Sequence, residues 1–280
     1  MKPIDPQQLT NGAFASLQER LVSAIIGLVK PDFIFLLGTS VCERRTESIF
    51  SSPEPPYQYL SDCFLLIVIQ DLANKEPHDW QEKIEQHCQN VAPITTIVLQ
   101  SFTFEEWLKA GHCFGTRVWQ LAPRIYDAGN TAWTVTAVSI SQSSEELKKR
   151  YMAGLNKAKE FLAGAELFRI RKQSSMAAFM LHQSAEQALK AFLNIRMELY
   201  ANTHNISRLL KYASLASHRI LSVFPQNTEE EKYLFNLLQK AYSDARYKDE
   251  YKAGMSELMR LTEKVKSIHE ILSEICKYKN

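Results

Sequence analysis

Two spacings of apolar residues divide the chain near its middle. In the first half, residues 33–37 and 63–69 are short, continuous apolar runs rich in Ile, Leu, Phe and Val, which predicts buried strands. Residues 94–99 predict a third strand, and residues 124–127 predict a short edge strand. Between the first two strands, the prolines of residues 51–60 predict no regular structure.

Helical spacing accompanies these strands in residues 13–29, 79–90 and 104–121, with an interruption of the last segment near Gly111 and Gly115. Strands that are mixed with helices in this way indicate that both kinds of element share one core. We therefore expect an α+β N-terminal domain, a short mixed sheet with flanking helices, over residues 1–130.

The second half has a helical pattern throughout. Its apolar residues fit five segments, at about 144–171, 174–199, 205–222, 228–247 and 252–277. The second segment carries one broad apolar stripe, formed by Ala178, Leu181, Ala185, Ala188, Leu189, Phe192 and Ile195. Such a stripe fits the core of an all-α, up-and-down helical bundle. We expect this bundle over residues 144–280, after a linker at residues 131–143.

Composition adds the expected setting of the protein. With 280 residues, of which 45% are apolar, the chain is long enough for two domains. No apolar run approaches 18 residues, which argues against a transmembrane helix, and the N-terminus lacks the pattern of a signal peptide. Five cysteines without a C-x-x-C pair fit reduced thiols. We therefore expect a cytoplasmic protein without a membrane partner.

The net charge of +2 hides an asymmetry between the two halves. Residues 1–140 hold 10 Lys and Arg against 15 Asp and Glu, whereas residues 141–280 hold 23 against 16. A basic helical half could favour a polyanion such as RNA. Because the charges are interleaved in sign, solvated helix faces explain the same pattern.

A small-residue segment and an acid lie at the first two predicted strands. Gly38-Thr39-Ser40 follows the first strand, where we expect a turn, and Asp62 begins the second. This arrangement resembles the nucleotidyltransferase fold of the DNA polymerase beta superfamily. There, a Gly-Ser turn approaches the nucleotide phosphates, and two acids at alternate strand positions hold Mg²⁺. The resemblance makes Gly38, Thr39, Ser40 and Asp62 candidates for nucleotide binding, with Asp62 as a metal ligand.

The sequence departs from this family pattern at the metal site. The second acid would fall on Phe64, which cannot ligate Mg²⁺, and residues 94–100 offer no third acid. We therefore expect a degenerate domain without a cofactor. Two alternatives stay open. In the first, Asp62 merely flanks a strand. In the second, the domain is an active nucleotidyltransferase that transfers a nucleoside monophosphate to a hydroxyl with Mg²⁺ held by Asp62. The second metal-binding acid would then be a residue such as Glu43, Asp71 or an acid from the helical domain.

A second set of motifs lies in the helical half. It begins with an aromatic residue, Phe179, and a Gln-x-x-Glu-x-x-x-Lys-Ala pattern at Gln183, Glu186 and Lys190-Ala191. A Thr-His pair at Thr203-His204 and a Leu-Leu pair at Leu209-Leu210 follow. Ala245-Arg246-Tyr247 and Tyr251 come later. Together these motifs resemble the HEPN domain, over about residues 145–277. HEPN domains are often fused to minimal nucleotidyltransferases, and related bundles pair through their helices, so the resemblance implies a homodimer.

Several of these residues share one edge of a helix. His182, Glu186 and Lys190 are spaced by four residues. A polar groove that binds a nucleotide or RNA phosphate through Lys190 and Arg246 is one interpretation. Its candidate members are His182, Gln183, Glu186, Lys190, Thr203, His204, Arg246, Tyr247 and Tyr251. The alternative is a Glu186–Lys190 helix pair worth about 0.3–0.5 kcal/mol, with His182 as an ordinary boundary residue.

Some HEPN proteins are metal-independent ribonucleases, which carry His after Arg with four to six residues between them. After Arg246 those positions hold Tyr251, Lys252 and Ala253, and tyrosine is a poor base at neutral pH. We therefore expect a non-catalytic or regulatory HEPN-domain protein that binds a nucleotide or nucleic acid, and we keep ribonuclease activity as a further alternative. His112-Cys113 has no role that the sequence assigns.

Overall fold

The structure is a computed structural model of the chain. It describes residues 12–44, 49, 57–129, 133, 144–248 and 250–277. The chain forms two compact units, Met1–Ile140 (the N-terminal unit) and Ser141–Asn280 (the helical unit). Apart from Trp133, the predicted linker at residues 131–143 lies outside the described residues.

The N-terminal unit is an α/β structure whose strands form one mixed sheet. Its elements are α1 (Gly12–Leu28), β1 (Pro31–Arg44), β2 (Tyr57–Ile69), α2 (Pro77–Cys88), β3 (Ile94–Gln100), α3 (Ser101–Lys109), α4 (Cys113–Leu121) and β4 (Arg124–Asp127). The four described strands lie in the order β3-β2-β1-β4. β2 and β3 are parallel, whereas β1 is antiparallel to both β2 and β4. The predicted mixed sheet with flanking helices is confirmed.

Both faces of this sheet are covered by helices. On one face, Ile67 of β2 lies in a core with Ile25 of α1 and Ile84 of α2. On the other face, the ring of Phe35 in β1 lies 5.8 Å from the ring of Phe104 in α3. A strand that is buried on both faces is apolar along its whole length, which explains the continuous apolar runs in the sequence.

The predicted turn at Gly38-Thr39-Ser40 is wrong. These residues lie inside β1, where Gly38 pairs with Phe64 and Ser40 pairs with Asp62 of β2. Asp62 therefore lies within a strand and not at its start. Residues 57–60, predicted to lack regular structure, also belong to β2. Pairing along the β1–β2 hairpin outweighs the local turn preference of Gly and Ser.

The predicted helix at residues 104–121 consists of two helices, α3 and α4. Gly111 lies between them with a φ of +67°, a left-handed conformation that ends the first helix. Gly115 does not interrupt the second helix but lies inside it, close to the Trp107 side chain. His112 stacks on Trp107 with 4.4 Å between ring centroids, and Cys113 is buried at the start of α4.

The helical unit is an all-α bundle, as predicted. Its elements are α5 (Ser144–Ile170), α6 (Ser174–Met197), α7 (Ile206–Ser214), a 3₁₀ helix (His218–Val223), α8 (Glu229–Ala241), α9 (Asp244–Tyr247) and α10 (Met255–Lys277). Three of the predicted segments correspond to single helices, α5, α6 and α10. The segments at 205–222 and 228–247 each contain a break, so that each forms two short helical elements.

α6 lies at the centre of the bundle and contacts α5, α7, α8, α9 and α10. Its predicted apolar stripe is buried, including Leu181, Leu189 and Phe192, except for the half-buried Ile195 at its end. Burial on several sides explains why α6 tolerates few exposed charges and why its polar residues need partners within the protein. Among the described residues, no helix has both the length and the apolar character needed to cross a membrane.

Candidate functional site

A buried carboxylate lies at the centre of the polar residues of α6. The side chain of Glu186 is 2% exposed, and its Oε1 accepts a hydrogen bond from Lys190 Nζ at 2.8 Å. His204 Nδ1 lies 3.1 Å from both carboxylate oxygens, and Gln183 Nε2 donates to Oε2 at 3.1 Å. A buried charge requires such partners, because an isolated one is costly. The structure thus brings together His182, Gln183, Glu186, Lys190 and His204, which we call the Glu186 cluster.

Glu186 fixes the hydrogen-bonding state of His204. Burial alone would raise the pKa of Glu186, but the hydrogen bonds and charges of Lys190 and His204 outweigh burial, so this pKa is below its ordinary value. An ionised carboxylate only accepts hydrogen bonds, so His204 donates from Nδ1. The side chain of His204 is half exposed, and its Nε2 has no hydrogen-bond partner among the described residues.

The loop between α6 and α7 holds His204 in place. Glu198 ends α6 in the left-handed conformation, with a φ of 55°. Asn205 caps α7 by accepting a backbone hydrogen bond from its first turn, and Thr203 Oγ1 accepts from the backbone N–H of Asn205 at 3.1 Å. His182 Nε2 donates to the backbone carbonyl of His204 at 3.1 Å. Thr203 therefore shapes the loop, while His182 holds it against α6.

His182 is neutral in this arrangement. Burial is the main cause that lowers the pKa of His182 to about 4, against the opposing charge of Glu186. A neutral ring that donates from Nε2 leaves Nδ1 as an acceptor, and Gln183 Nε2 lies 3.4 Å from that atom. The 3.7 Å between His182 Nδ1 and Glu186 Oε2 is therefore not an ion pair.

Tyr242, which sequence reasoning missed, connects His204 to Arg246. The Tyr242 and His204 rings are stacked, with 4.1 Å between centroids and 13° between planes. Arg246 Cζ lies 4.3 Å from the centre of the Tyr242 ring, and Arg246 Nε donates to the Tyr242 carbonyl at 2.6 Å. Arg246 is exposed and forms no ion pair with any residue that the structure describes. The only signal for Tyr242 in the sequence is its position four residues before Arg246.

Two other predicted groove residues lie apart from the cluster. Tyr247 is largely exposed, with its ring centre 5.0 Å from Arg246 Cζ. Tyr251 is buried, and its hydroxyl donates to the carbonyl of Leu237 at 2.8 Å. Burial also raises the pKa of Tyr251 above its ordinary value. The structure therefore places Tyr251 in the core and not in the groove.

An open cleft of about 350 Å³ adjoins the Glu186 cluster and shares Lys190 with it. Arg150 of α5, Gln187 and Asn194 of α6, and Tyr200 of the following loop contribute polar groups to its lining. Arg150 Nη1 donates to the Tyr200 hydroxyl at 2.8 Å. Sequence reasoning missed this cleft, although Gln187 and Asn194 share one face of α6 with Lys190.

In the N-terminal unit, the candidate metal ligand Asp62 is buried and hydrogen-bonded to a hydroxyl of the neighbouring strand. Asp62 is buried, and its Oδ2 accepts a hydrogen bond from Thr95 Oγ1 of β3 at 2.8 Å. Thr95 pairs with Phe64, which is buried on the same face of β2 as Asp62. Within the part of the chain that the structure describes, no group of three or more His, Cys, Asp or Glu is placed to hold a metal ion.

Asp71, considered as a second acid, cannot share an ion with Asp62. It follows the far end of β2, about 30 Å of extended chain from Asp62 at about 3.3 Å per residue. Two ligands of one Mg²⁺ each lie only about 2.1 Å from the ion. The Oδ1 atom of Asp71 instead accepts from the backbone N–H of Ala73 at 2.7 Å. The side chain of Glu43, the other named acid, lies outside the described residues.

One family model matches the helical unit. Residues 151–276 match the family model of the HEPN domain. One similar solved structure is the crystal structure of TT1696 from Thermus thermophilus, at 24% identity and a TM-score of 0.33, over 45% of this chain and 98% of that chain. No curated protein matches the chain. The family match includes the Glu186 cluster, Tyr242 and Arg246, and we conclude that residues 151–276 of this chain are a HEPN domain.

Proposed function

We propose that the HEPN domain binds the phosphate of a nucleotide or of RNA at a surface formed by Lys190, His204 and Arg246. One observation carries the proposal: the Tyr242 ring contacts both the Arg246 guanidinium and the His204 imidazole, so the two groups lie side by side. Arg246 is exposed and has no carboxylate partner among the described residues, and Glu186 orients His204. Arg246 uses Nε for the Tyr242 carbonyl, which leaves its Nη groups for a phosphate. We call Lys190, His204 and Arg246 the cationic surface.

Binding of a short, labelled single-stranded RNA to the full chain, followed by fluorescence anisotropy over a range of salt concentrations, tests this proposal. Each phosphate contact on a single strand contributes about 0.7 to the slope of log affinity against log salt. We expect Arg246→Gln to weaken binding and to reduce this slope by about that amount. Arg219→Gln is the control, because Arg219 is exposed but pairs with Glu274. Equal binding by wild type and Arg246→Gln would reject the proposal.

A second candidate function, metal-independent RNA cleavage, is supported by His204 itself. Its Nδ1 is anchored on a buried carboxylate and its Nε2 has no partner within the described residues, which is how a general base is oriented. His204 would take the proton of a 2′-hydroxyl as that oxygen attacks the phosphorus, and the 5′-oxygen would leave with a proton from solvent. Arg246 would stabilise the charge on the phosphate.

Incubation of labelled RNA in EDTA separates cleavage from binding. A catalytic His204 predicts a 2′,3′-cyclic phosphate product that is lost in His204→Gln, while RNA affinity stays within a few-fold of wild type. The control is His218→Gln, which lies outside the Glu186 cluster. Intact RNA after prolonged incubation with wild-type protein would leave phosphate binding as the function.

We also propose that the N-terminal unit is a nucleotidyltransferase-like domain without two-metal catalysis, so that the whole protein acts as a regulator. The mixed sheet, with its β1–β2 hairpin and parallel β3, supports this proposal. So does the placement of Phe64 and Thr95 next to Asp62, because neither side chain replaces a carboxylate as a Mg²⁺ ligand.

Pairing of two copies through the HEPN bundle is proposed on the family resemblance, since C2 pairing is the commonest form of homo-oligomer. Light scattering of the full chain after gel filtration distinguishes a 32.1 kDa monomer from a dimer of twice that mass. A monomer at all tested concentrations would reject this proposal.

A further inference from the structure

The cleft beside the Glu186 cluster carries no acidic side chain. Within the described residues its charged lining groups are Arg150 and Lys190, whose remaining N–H groups an anion in the cleft could contact. Both side chains are already oriented by partners. Arg150 donates to the Tyr200 hydroxyl and to Glu146, and Lys190 donates to Glu186. A site whose cations are held in place loses little freedom when an anionic ligand binds.

Carboxamides supply the rest of the polar lining. Gln187, Asn194 and Asn202 each offer a donor and an acceptor on one planar group. The Oδ1 atom of Asn194 is buried and accepts no hydrogen bond from any residue that the structure describes. A buried acceptor of this kind is normally paired in a folded protein, and rotation of the Asn194 amide towards the cleft would bring this oxygen to a ligand N–H group.

The size of the cleft suits a small ligand. Its volume of about 350 Å³ lies near the lower end of the range of about 300–1,000 Å³ for small-molecule sites. Gly154 of α5 and Ala191 of α6, where the two helices approach closely, belong to its lining. The ring of Tyr200 is exposed at the rim, where a base could stack on it.

We infer that this cleft binds one nucleoside 5′-phosphate unit, either free or within single-stranded RNA. The carboxamides contact the edge of the base, while Arg150 and Lys190 contact the phosphate. Carboxamide side chains are suited to this task, because their paired donor and acceptor match those on a base edge. The inference deepens the proposed function and rests on it through Lys190, which belongs to both surfaces: the cationic surface binds backbone phosphate, and the cleft adds recognition of a base.

Calorimetry with the full chain tests the inference. The probes are the four nucleoside 5′-monophosphates, ribose 5-phosphate and a ten-nucleotide single-stranded RNA. We expect at least one monophosphate to bind about tenfold more tightly than ribose 5-phosphate, as one or two hydrogen bonds to the base would produce. Equal affinity for ribose 5-phosphate and all four monophosphates would overturn the inference. If only the RNA binds with base-dependent affinity, the nucleotide unit comes from a polymer and not from a free pool.

Variants separate the cleft from the cationic surface. Asn194→Leu and the exposed Asn202→Ala should each weaken nucleotide binding several-fold, whereas Asn227→Leu, an exposed amide outside the cleft, should not. If Arg246→Gln weakens RNA binding and both cleft variants bind like wild type, the proposed function stands and the cleft is rejected. If the cleft variants lose nucleotide affinity and Arg246→Gln does not change RNA binding, the cleft stands and the proposed function is rejected.

Discussion

The imidazole of His204 lies parallel to the ring of Tyr242, with 4.1 Å between their centroids. The same tyrosine ring lies 4.3 Å from Arg246 Cζ, so one aromatic side chain orients two members of the cationic surface. Neither the Thr-His motif nor the Ala-Arg-Tyr motif includes this tyrosine. The stacking thus joins two parts of the sequence, 38 residues apart along the chain, into one candidate phosphate site.

Replacement of Tyr242 tests whether this ring matters for binding. An aromatic pair contributes about 0.5–1.5 kcal/mol beyond its buried area, which corresponds to about two- to tenfold in an equilibrium constant. We therefore expect Tyr242→Leu to weaken RNA binding within that range. Tyr242→Phe keeps the stacked ring and should bind like wild type in the same anisotropy titration. Equal affinity in both variants would show that the stacking does not orient the surface.

The buried His182 predicts that stability falls in mild acid. Burial lowers its pKa to about 4, so the unfolded chain binds a proton at pH values where the folded chain does not. The contribution is fully present above about pH 6.5 and is lost as the pH falls from 6.5 towards 4, with a total of about 3 kcal/mol. The charge of Glu186 and the hydrogen bond to the His204 carbonyl oppose this shift, and the charge of Lys190 reinforces it.

Urea denaturation at pH 7.5 and pH 5 measures this effect. We expect His182→Gln to narrow the difference in unfolding free energy between the two pH values, because glutamine does not titrate yet can still donate to the His204 carbonyl. Some difference should remain, since burial also lowers the pKa of His269. An unchanged difference in His182→Gln would contradict the assignment of a neutral His182.

Glu186→Gln tests the carboxylate at the centre of the cluster. The change removes the negative charge that accepts hydrogen bonds from Lys190 and His204. Because hydrogen bonds to charged groups contribute about 1.5–3 kcal/mol, we expect the free energy of unfolding at pH 7 to fall by about 1–3 kcal/mol. The pKa of Glu186 lies below its ordinary value, so the stabilisation is present above about pH 4.5 and disappears as the carboxylate protonates. Wild type and variant should therefore converge in urea denaturation as the pH falls through the lowered pKa of Glu186. Glu263→Gln, an exposed acid on α10, is the control.

Motifs in the helical unit were more informative than those in the N-terminal unit, for a physical reason. Glu186 and Lys190 are neighbours along one helix, so their spacing alone predicts their contact. The arrangement of Gly38-Thr39-Ser40 depends on a partner strand more than 20 residues away, and pairing of Ser40 with Asp62 replaces the predicted turn. Asn194 and Arg150 meet only because α5 packs on α6, which no local pattern reveals.

The N-terminal unit offers a test of the nucleotidyltransferase alternative. Asp62 accepts a hydrogen bond from Thr95 inside the sheet, and we expect Asp62→Asn to leave the heat of ATP binding in the presence of Mg²⁺ unchanged. Thr95→Val removes the same hydrogen bond from the partner strand, and we expect it to leave the heat of ATP binding unchanged as well. Magnesium-dependent ATP binding that Asp62→Asn abolishes, together with transfer of AMP to an acceptor, would establish the active enzyme instead.

Close packing of α5 on α6 depends on the absence of a side chain at Gly154. A Cβ atom there would lie 2.7 Å from the Cβ of Ala191, a distance that forces the two helices apart. Overpacking costs about 1–3 kcal/mol, against a gain of up to about 1 kcal/mol from the better helix propensity of alanine. We therefore expect Gly154→Ala to destabilise the protein, as measured by urea denaturation, and to weaken nucleotide binding by distorting the lining of the cleft.

Gly164→Ala, in the same helix, is the matched control. Its new Cβ would lie 3.6 Å from the sulfur of Met180, an ordinary contact, so helix propensity should make this variant slightly more stable than wild type. The double variant Gly154→Ala with Ala191→Gly removes the clash from the other side and should recover most of the lost stability. If the double variant is instead no more stable than Gly154→Ala alone, the cost at Gly154 does not come from its contact with Ala191. If nucleotide affinity recovers together with stability, the separation of α5 and α6 controls the cleft.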